Sequence, residues 1–180
     1  HDFLGLRLTP GLLEEARAAL VFASEQAQGP VSVMSISFGS IAAMHIAATL
    51  PERVSRVVMF GGYRNLERAF RFALGAAMSG LPAEVRDPLN GPAVLANLTD
   101  ELLPEDERAA FHAATLAFSR RTWSRNAVPE NKRDGRHLRV GREIAETLSG
   151  AARELFLVAC RLEGDPLSVE EIGKLKEWID

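Results

Sequence analysis

The sequence predicts an α/β fold in which a partial parallel sheet is followed by a mostly helical region. Two short apolar runs, Val31–Ile36 and Val54–Phe60, are rich in β-branched residues, as buried parallel strands require. The segment 41–50 between them is rich in alanine and apolar on nearly all sides, which is typical of a helix packed against a sheet. The order strand, helix, strand with short connections predicts a βαβ unit with parallel strands.

A helix over residues 10–28 is predicted to precede the first strand. Thr9 can cap free backbone amides, and Pro10 suits the first position of a helix. Apolar residues such as Leu12 and Leu20 then recur at helical spacing until a glycine-proline pair ends the run. This helix is therefore predicted to be amphipathic.

Helical patterns dominate after Tyr63, so we predict a boundary that separates residues 1–62 from residues 63–180. The predicted helical features are an apolar face at Leu66, Ala69, Phe70, Ala73 and Leu74, an acidic first turn at 104–107, and helices at 139–149, 151–162 and 168–179. A proline- and glycine-rich connection is predicted over residues 82–92. Two parallel strands do not make a stable sheet, so we expect further chain to complete it and the sequence to be truncated at both ends.

Composition excludes several classes of partner and site. The net charge of −3 gives no general attraction to nucleic acid or to an anionic membrane, and no apolar stretch is long enough to span a bilayer. A single cysteine, Cys160, excludes an intrachain disulfide and a cysteine-based metal site, and its apolar surroundings predict a buried, inert thiol. No cofactor and no metal is predicted, and the expected location is the cytoplasm.

The motif that carries chemistry is Ser35-Ile36-Ser37-Phe38-Gly39, at the point where the first predicted strand turns into a helix. A nucleophile at such a sharp turn adopts strained dihedral angles, and only small residues two positions before and after it leave room. The turn would lift the Ser37 hydroxyl clear of the sheet and place the Phe38 N–H as one donor of an oxyanion hole. Position 35 is serine where glycine is commonest.

The same motif has two alternative interpretations. Small polar residues at the end of a strand often only cap the next helix. A phosphate cradle at the same helix N-terminus would need the lysine and glycine spacing of a P-loop or the three-glycine dinucleotide fingerprint, and the sequence has neither. The strand before the motif and the apolar helix after it favour the nucleophile.

Residues 2–62 resemble the middle of the α/β-hydrolase fold. In this resemblance residues 2–5 correspond to the end of strand four, 10–28 to its following helix, 31–36 to strand five, Ser37 to the nucleophile elbow, 38–50 to the next helix, and 51–60 to strand six. The proline-glutamate-arginine-valine lead into strand six is common in that family. Residues 63–180 resemble the helical cap inserted after strand six, and the segments 87–90 and 120–123 resemble a bacterial subgroup with large helical caps.

The resemblance implies a serine hydrolase that forms an acyl-enzyme at Ser37 and acts on an ester, a thioester or a related small acyl compound. It also implies a catalytic acid and a histidine after strands seven and eight, outside this sequence, so that the fragment alone would be inactive. The alternatives are a non-catalytic protein that binds a ligand or partner in the same cleft, and an acyltransferase on the same scaffold. The sequence predicts no nucleic-acid partner and leaves the oligomeric state open.

The titratable residues within the sequence are not predicted to complete a triad. His45 lies eight residues beyond Ser37 on the same predicted helix, about 12 Å along its axis, too far to reach the hydroxyl. His112 is predicted within a helix and His137 within a basic loop, each structural or solvated. Asp165 follows a helical pattern instead of a strand and receives no role.

The segment 120–142 contains eight lysines and arginines. A solvated face is the default interpretation of such a run, and recognition of an anionic substrate is the sharper alternative. Trp123 and Trp178 are expected to pack in a core, with a pocket lining as the alternative.

Overall fold

The computed structural model describes residues 5–73, 89–123, 135–160 and 162, without the side chains at 66–68 and 71. The fold is mixed α/β and mostly helical, with a two-stranded parallel sheet among the described residues. The chain divides into two compact units, His1–Asn65 and Leu66–Asp180. The elements of the first unit are α1 (Pro10–Gln26), β1 (Val31–Ile36), α2 (Ser40–Thr49) and β2 (Val54–Phe60). Those of the second are α3 (Leu66–Ala73), α4 (Gly91–Leu95), α5 (Thr99–Leu102), α6 (Glu105–Thr122), α7 (Arg136–Ala145) and α8 (Gly150–Ala159).

Helix α1 begins as the sequence predicts. The Thr9 hydroxyl accepts a hydrogen bond from the Leu12 N–H at 3.3 Å, and Pro10 occupies the first turn. Leu12 and Leu20 are buried, so one face of the helix packs inward. The helix ends at Gln26, two residues before the predicted end.

The predicted βαβ unit is confirmed, and both strands have the predicted bounds. β1 and β2 pair in parallel, with Ile36 opposite Phe60 at the end of the register. Two short 3₁₀ turns, Ser37–Gly39 and Pro51–Arg53, lie before α2 and before β2. The guanidinium of Arg53 donates a hydrogen bond to the Ser24 hydroxyl at 2.7 Å, which attaches the lead into β2 to the end of α1.

The expectation that both strands are buried is not met among the described residues. Met34 and Ile36 on β1 are 69% and 65% exposed, and Phe60 on β2 is 57% exposed. A parallel sheet is normally covered on both faces, and the two described strands and two helices of this unit are too few to cover it. The first unit therefore presents an apolar surface along its strands.

The core of the second unit is built around three phenylalanines. Phe111 and Phe118 on α6 and Phe156 on α8 are fully buried, and the ring of Phe156 meets the other two edge to face, with centroids 5.9 and 6.0 Å apart. Such T-shaped pairs are the favoured geometry of buried aromatic rings. The predicted acidic first turn is confirmed, since α6 begins at Glu105 after Pro104.

The structure corrects several sequence predictions in the second unit. Gly91 and Pro92, predicted at the end of a connection, instead begin α4, because a glycine-proline pair can open a helix as well as end one. α5 was not predicted, since a single turn has no measurable periodicity. α7 begins at Arg136, three residues earlier than predicted, after Gly135 in a left-handed conformation. α8 ends at Ala159, three residues before the predicted end. The predicted helix 168–179 lies outside the described residues.

The N-terminus of α8 is capped by a side chain from another helix. The Glu107 carboxylate on α6 accepts a hydrogen bond from the Ala152 N–H at 2.6 Å. A carboxylate at this end also interacts favourably with the helix dipole. The same carboxylate lies where a Cβ at Gly150 would be placed, and Gly150 has φ of +56°. This contact therefore joins α6 to the start of α8.

We expect Glu107→Ala to lower the free energy of unfolding by about 1 kcal/mol, as the loss of a capping group does. Glu105→Ala is the matched control, because Glu105 is an exposed glutamate in the same first turn of α6. Urea denaturation of both variants measures the difference. Equal midpoints would show that the Ala152 contact contributes nothing beyond the acidic turn.

Candidate active site

The candidate site lies where β1 ends. Ser37 follows β1 directly and opens the 3₁₀ turn that leads into α2. Its φ is +51°, in the left-handed region that serine rarely occupies. Such a conformation costs on the order of 1–3 kcal/mol and persists only where the surrounding structure fixes it. The predicted sharp turn from strand to helix is thus present at Ser37.

The residues around Ser37 differ strongly in burial. Ser37 is exposed, Phe38 and Gly39 are half-buried, and Ser40 is buried. Ser35, two residues before Ser37, is also buried, and its hydroxyl has no hydrogen-bond partner in the part of the chain that the structure describes. The small side chains before and after the turn therefore face inward, while the Ser37 hydroxyl is accessible to solvent.

A tyrosine at the predicted boundary between the two regions, Tyr63, contacts this serine. The hydroxyl oxygens of Ser37 and Tyr63 are 2.8 Å apart, a hydrogen-bond distance. Tyr63 lies three residues beyond the end of β2. Because parallel strands end at the same edge of a sheet, residues that follow β1 and β2 meet there. That rule, applied to the predicted strands, was the signal that could have found Tyr63.

The backbone of Tyr63 is fixed to the start of α2. Its N–H donates a hydrogen bond to the Ser40 hydroxyl at 3.3 Å, and Ser40 is only 3% exposed. Gly61, with φ of +62°, turns the chain after β2. A Cβ at Gly62 would lie 3.3 Å from the Ser40 Cβ, so the loop passes close to α2. These contacts hold Tyr63 beside Ser37.

The backbone N–H groups that follow Ser37 include the predicted donor of the oxyanion hole. Phe38 is the second residue of the 3₁₀ turn, and among the described residues no side chain caps that turn or the N-terminus of α2. Uncapped N–H groups at such a terminus attract negative charge. The role of the Phe38 N–H as a hydrogen-bond donor to an oxyanion stays a prediction.

Each of the three described histidines belongs to a helix and not to the turn at Ser37. His45 is half-buried on α2. His112 belongs to the second unit, where its Nε2 is 3.1 Å from the Thr99 hydroxyl. The prediction that His137 lies in a basic loop is wrong, because it is buried in the first turn of α7. Asp165 lies outside the described residues.

The described part of the basic segment contains ion pairs. Arg121 donates a hydrogen bond to Glu143, and the Arg139 Nε lies 3.8 Å from the same carboxylate. The hydrogen bond from Arg121 lowers the pKa of Glu143. These side chains are about half exposed or more, which is typical of a solvated charged face. Residues 124–134 lie outside the described part of the chain.

Cys160 lies in the core of the second unit, and Trp123 packs against that core. Cys160 is fully buried, as predicted, and burial raises its pKa far above the usual range of a thiol. Trp123 is half-buried against the core of the second unit, and its indole N–H donates to the Leu89 carbonyl at 3.4 Å. Trp178 lies outside the described residues.

An apolar groove of about 540 Å³ runs beside β1, between α1 and α2. Its lining includes Leu20, Val33 and Ile46, together with Ile36 and Gly39 on either side of Ser37. No lining residue is titratable, so the groove offers apolar surface without acid or base chemistry.

The described residues include no cluster of histidine, cysteine, aspartate and glutamate that could hold a metal ion. Over the same residues, every helix is too short or too polar to cross a bilayer.

No family model, curated protein or solved structure matches this chain. Inference about function therefore depends on the geometry around Ser37.

Proposed function

We propose that this chain belongs to a serine hydrolase of the α/β-hydrolase type, in which Ser37 attacks an ester or a related small acyl compound. The observation that carries the proposal is the left-handed φ of +51° at an exposed serine between β1 and α2. Nucleophile elbows place their serine in this strained setting, at the end of a parallel strand.

The position of Ser37 also argues against a role as a helix cap. A capping serine occupies the N-cap position, usually with extended backbone, and its hydroxyl accepts from an amide of the first turn. Here the N-cap of the 3₁₀ turn is Ile36, and the N-cap of α2 is Gly39. The Ser37 hydroxyl instead contacts Tyr63. Strain at Ser37 is thus not explained by capping.

In the proposed reaction, the Ser37 Oγ attacks the carbonyl carbon of the substrate while a base takes the hydroxyl proton. The carbonyl oxygen becomes an oxyanion, for which the Phe38 N–H is the proposed donor. The C–O bond to the leaving group then breaks, and the base returns its proton to that group. Water hydrolyses the acyl-enzyme in the second half of the reaction. The base and its acid partner are proposed to lie outside these 180 residues.

The role of the second unit and the location of the protein are part of the same proposal. The second unit would act as a helical cap that selects the substrate, and the protein would work in the cytoplasm. An acyltransferase differs from this proposal only in the acceptor that resolves the acyl-enzyme. The apolar groove beside β1 favours one further candidate, a non-catalytic protein that binds an apolar ligand there.

The test is fluorophosphonate labelling of the complete gene product that contains this sequence, together with hydrolysis of short p-nitrophenyl esters. We expect Ser37→Ala to abolish labelling and to lower kcat by roughly 10³-fold or more, as the loss of a serine nucleophile does. Ser32→Ala is the matched control, because Ser32 is an exposed serine on β1 whose hydroxyl oxygen lies 3.2 Å from that of Ser55 on the neighbouring strand. It should label as the wild type does.

Two outcomes would overturn the hydrolase. One is equal labelling of the wild type and Ser37→Ala. The other is a wild-type protein that is neither labelled nor active on any short ester, which would favour the non-catalytic candidate.

A further inference from the structure

We propose that Tyr63 donates its phenol hydrogen to the Ser37 Oγ and stabilises the negative charge that develops on that oxygen during the reaction. This inference rests on the proposed function. It starts from the 2.8 Å distance between the two hydroxyl oxygens. Either oxygen could donate in the resting protein, but only one direction is compatible with catalysis. Ser37 must give its own proton to a base, so Tyr63 has to be the donor.

Tyr63 reaches Ser37 because its backbone is fixed. Gly61 turns the chain in a left-handed conformation, and the Tyr63 N–H donates to the buried Ser40 hydroxyl. Ser40 is the first residue of α2, the helix that follows the turn at Ser37. Ser37 and Tyr63 are therefore both connected to the N-terminus of α2, Ser37 through the chain and Tyr63 through this hydrogen bond. A tyrosine left on the surface by chance would not need this support.

Charge on the Ser37 Oγ changes twice in the proposed reaction. It becomes more negative as its proton passes to the base and the bond to the carbonyl carbon begins to form. It becomes negative again in deacylation, when the bond from the acyl carbon to Oγ breaks and a proton returns to Oγ. A phenol donor at 2.8 Å would stabilise both transition states more than the neutral ground state. Tyr63 is 39% exposed, so solvent weakens the contact without removing it.

The first experiment tests the contact without using activity. 3-Fluorotyrosine is placed at position 63, and its ¹⁹F resonance is compared in the wild type, Ser37→Ala and Ser32→Ala. Tyr63 is the single tyrosine of this sequence. The resonance should shift in Ser37→Ala and stay unchanged in Ser32→Ala. If it stays unchanged in both, the hydrogen bond is absent and the inference fails, whether or not the protein is a hydrolase.

The second experiment tests the role. Tyr63→Phe keeps the ring and removes the donor, and we expect the rate constant for fluorophosphonate labelling to fall about tenfold, the size of one net hydrogen bond. For a short ester, kcat should fall by a similar factor with KM changed less than twofold, because the contact acts in the transition state. A merely structural role would not produce this division between kcat and KM.

The outcomes separate this inference from the function on which it rests. If Tyr63→Phe labels at the wild-type rate while Ser37→Ala does not label, Ser37 is a nucleophile and the role of Tyr63 is refuted. If the wild type is neither labelled nor active, the hydrolase fails and the role of Tyr63 fails with it. Slow labelling of Tyr63→Phe, together with a ¹⁹F resonance of 3-fluorotyrosine at position 63 that shifts in Ser37→Ala and not in Ser32→Ala, supports both.

Discussion

Phe156→Ala is expected to lower the free energy of unfolding of the second unit by roughly 3–5 kcal/mol, the usual cost of truncating a buried phenylalanine. Phe156 is fully buried between Phe111 and Phe118, which belong to a different helix. Removing its ring takes away both edge-to-face contacts and leaves a cavity where α6 and α8 meet. Because Phe156 has no solvent-exposed surface, contacts with water do not compensate for the loss.

Tryptophan fluorescence during urea denaturation measures this loss in the right unit, since both tryptophans of the sequence lie within Leu66–Asp180. The midpoint should fall with the slope unchanged. Glu154→Ala is the control, because Glu154 is exposed on the same helix as Phe156 and its truncation should change the stability of the second unit by no more than about 0.5 kcal/mol. Similar midpoints for the two variants would contradict a core centred on Phe156.

The first unit was predicted closely because its elements carry strong local signals. β1 and β2 are β-branched runs with sharp ends, and α1 begins at a threonine-proline pair that proves to be a cap. The burial of the strands could not be predicted in the same way. It depends on what covers the sheet, and a strand pattern reports only that its side chains are apolar.

The second unit shows where local patterns fail. His137 and Val140 lie on one buried face of α7, at helical spacing, but the helix was predicted to begin only at residue 139, because the basic residues around His137 resemble those of a loop. α4 and α5 have five and four residues, too few for any period to be measured. Tertiary packing decides such segments, and the sequence carries little local trace of it.

In the candidate site, one residue could be predicted from local sequence and the other could not. Ser37 could be predicted because the strain of a sharp turn selects small neighbours that are adjacent in sequence. Tyr63 could not be identified from its own neighbourhood, because an aromatic residue after a strand has many ordinary explanations. Its contact with Ser37 depends on the pairing of Ile36 with Phe60, which brings two chain segments together. Contacts of this kind follow from strand register and not from motif.

Gly91→Ala is expected to destabilise the second unit at the upper end of the ~1–3 kcal/mol that overpacking costs. A Cβ at Gly91, the first residue of α4, would collide with the carbonyl oxygen of Ala159, at the end of α8. That obstacle is backbone, so α4 or α8 as a whole would have to move. Gly29→Ala is the control, because a Cβ there meets nothing within 4 Å, and it should be neutral or slightly stabilising. Thermal unfolding followed by circular dichroism compares them, and a Gly91→Ala melting temperature equal to that of Gly29→Ala would mean that α4 does not approach α8 this closely.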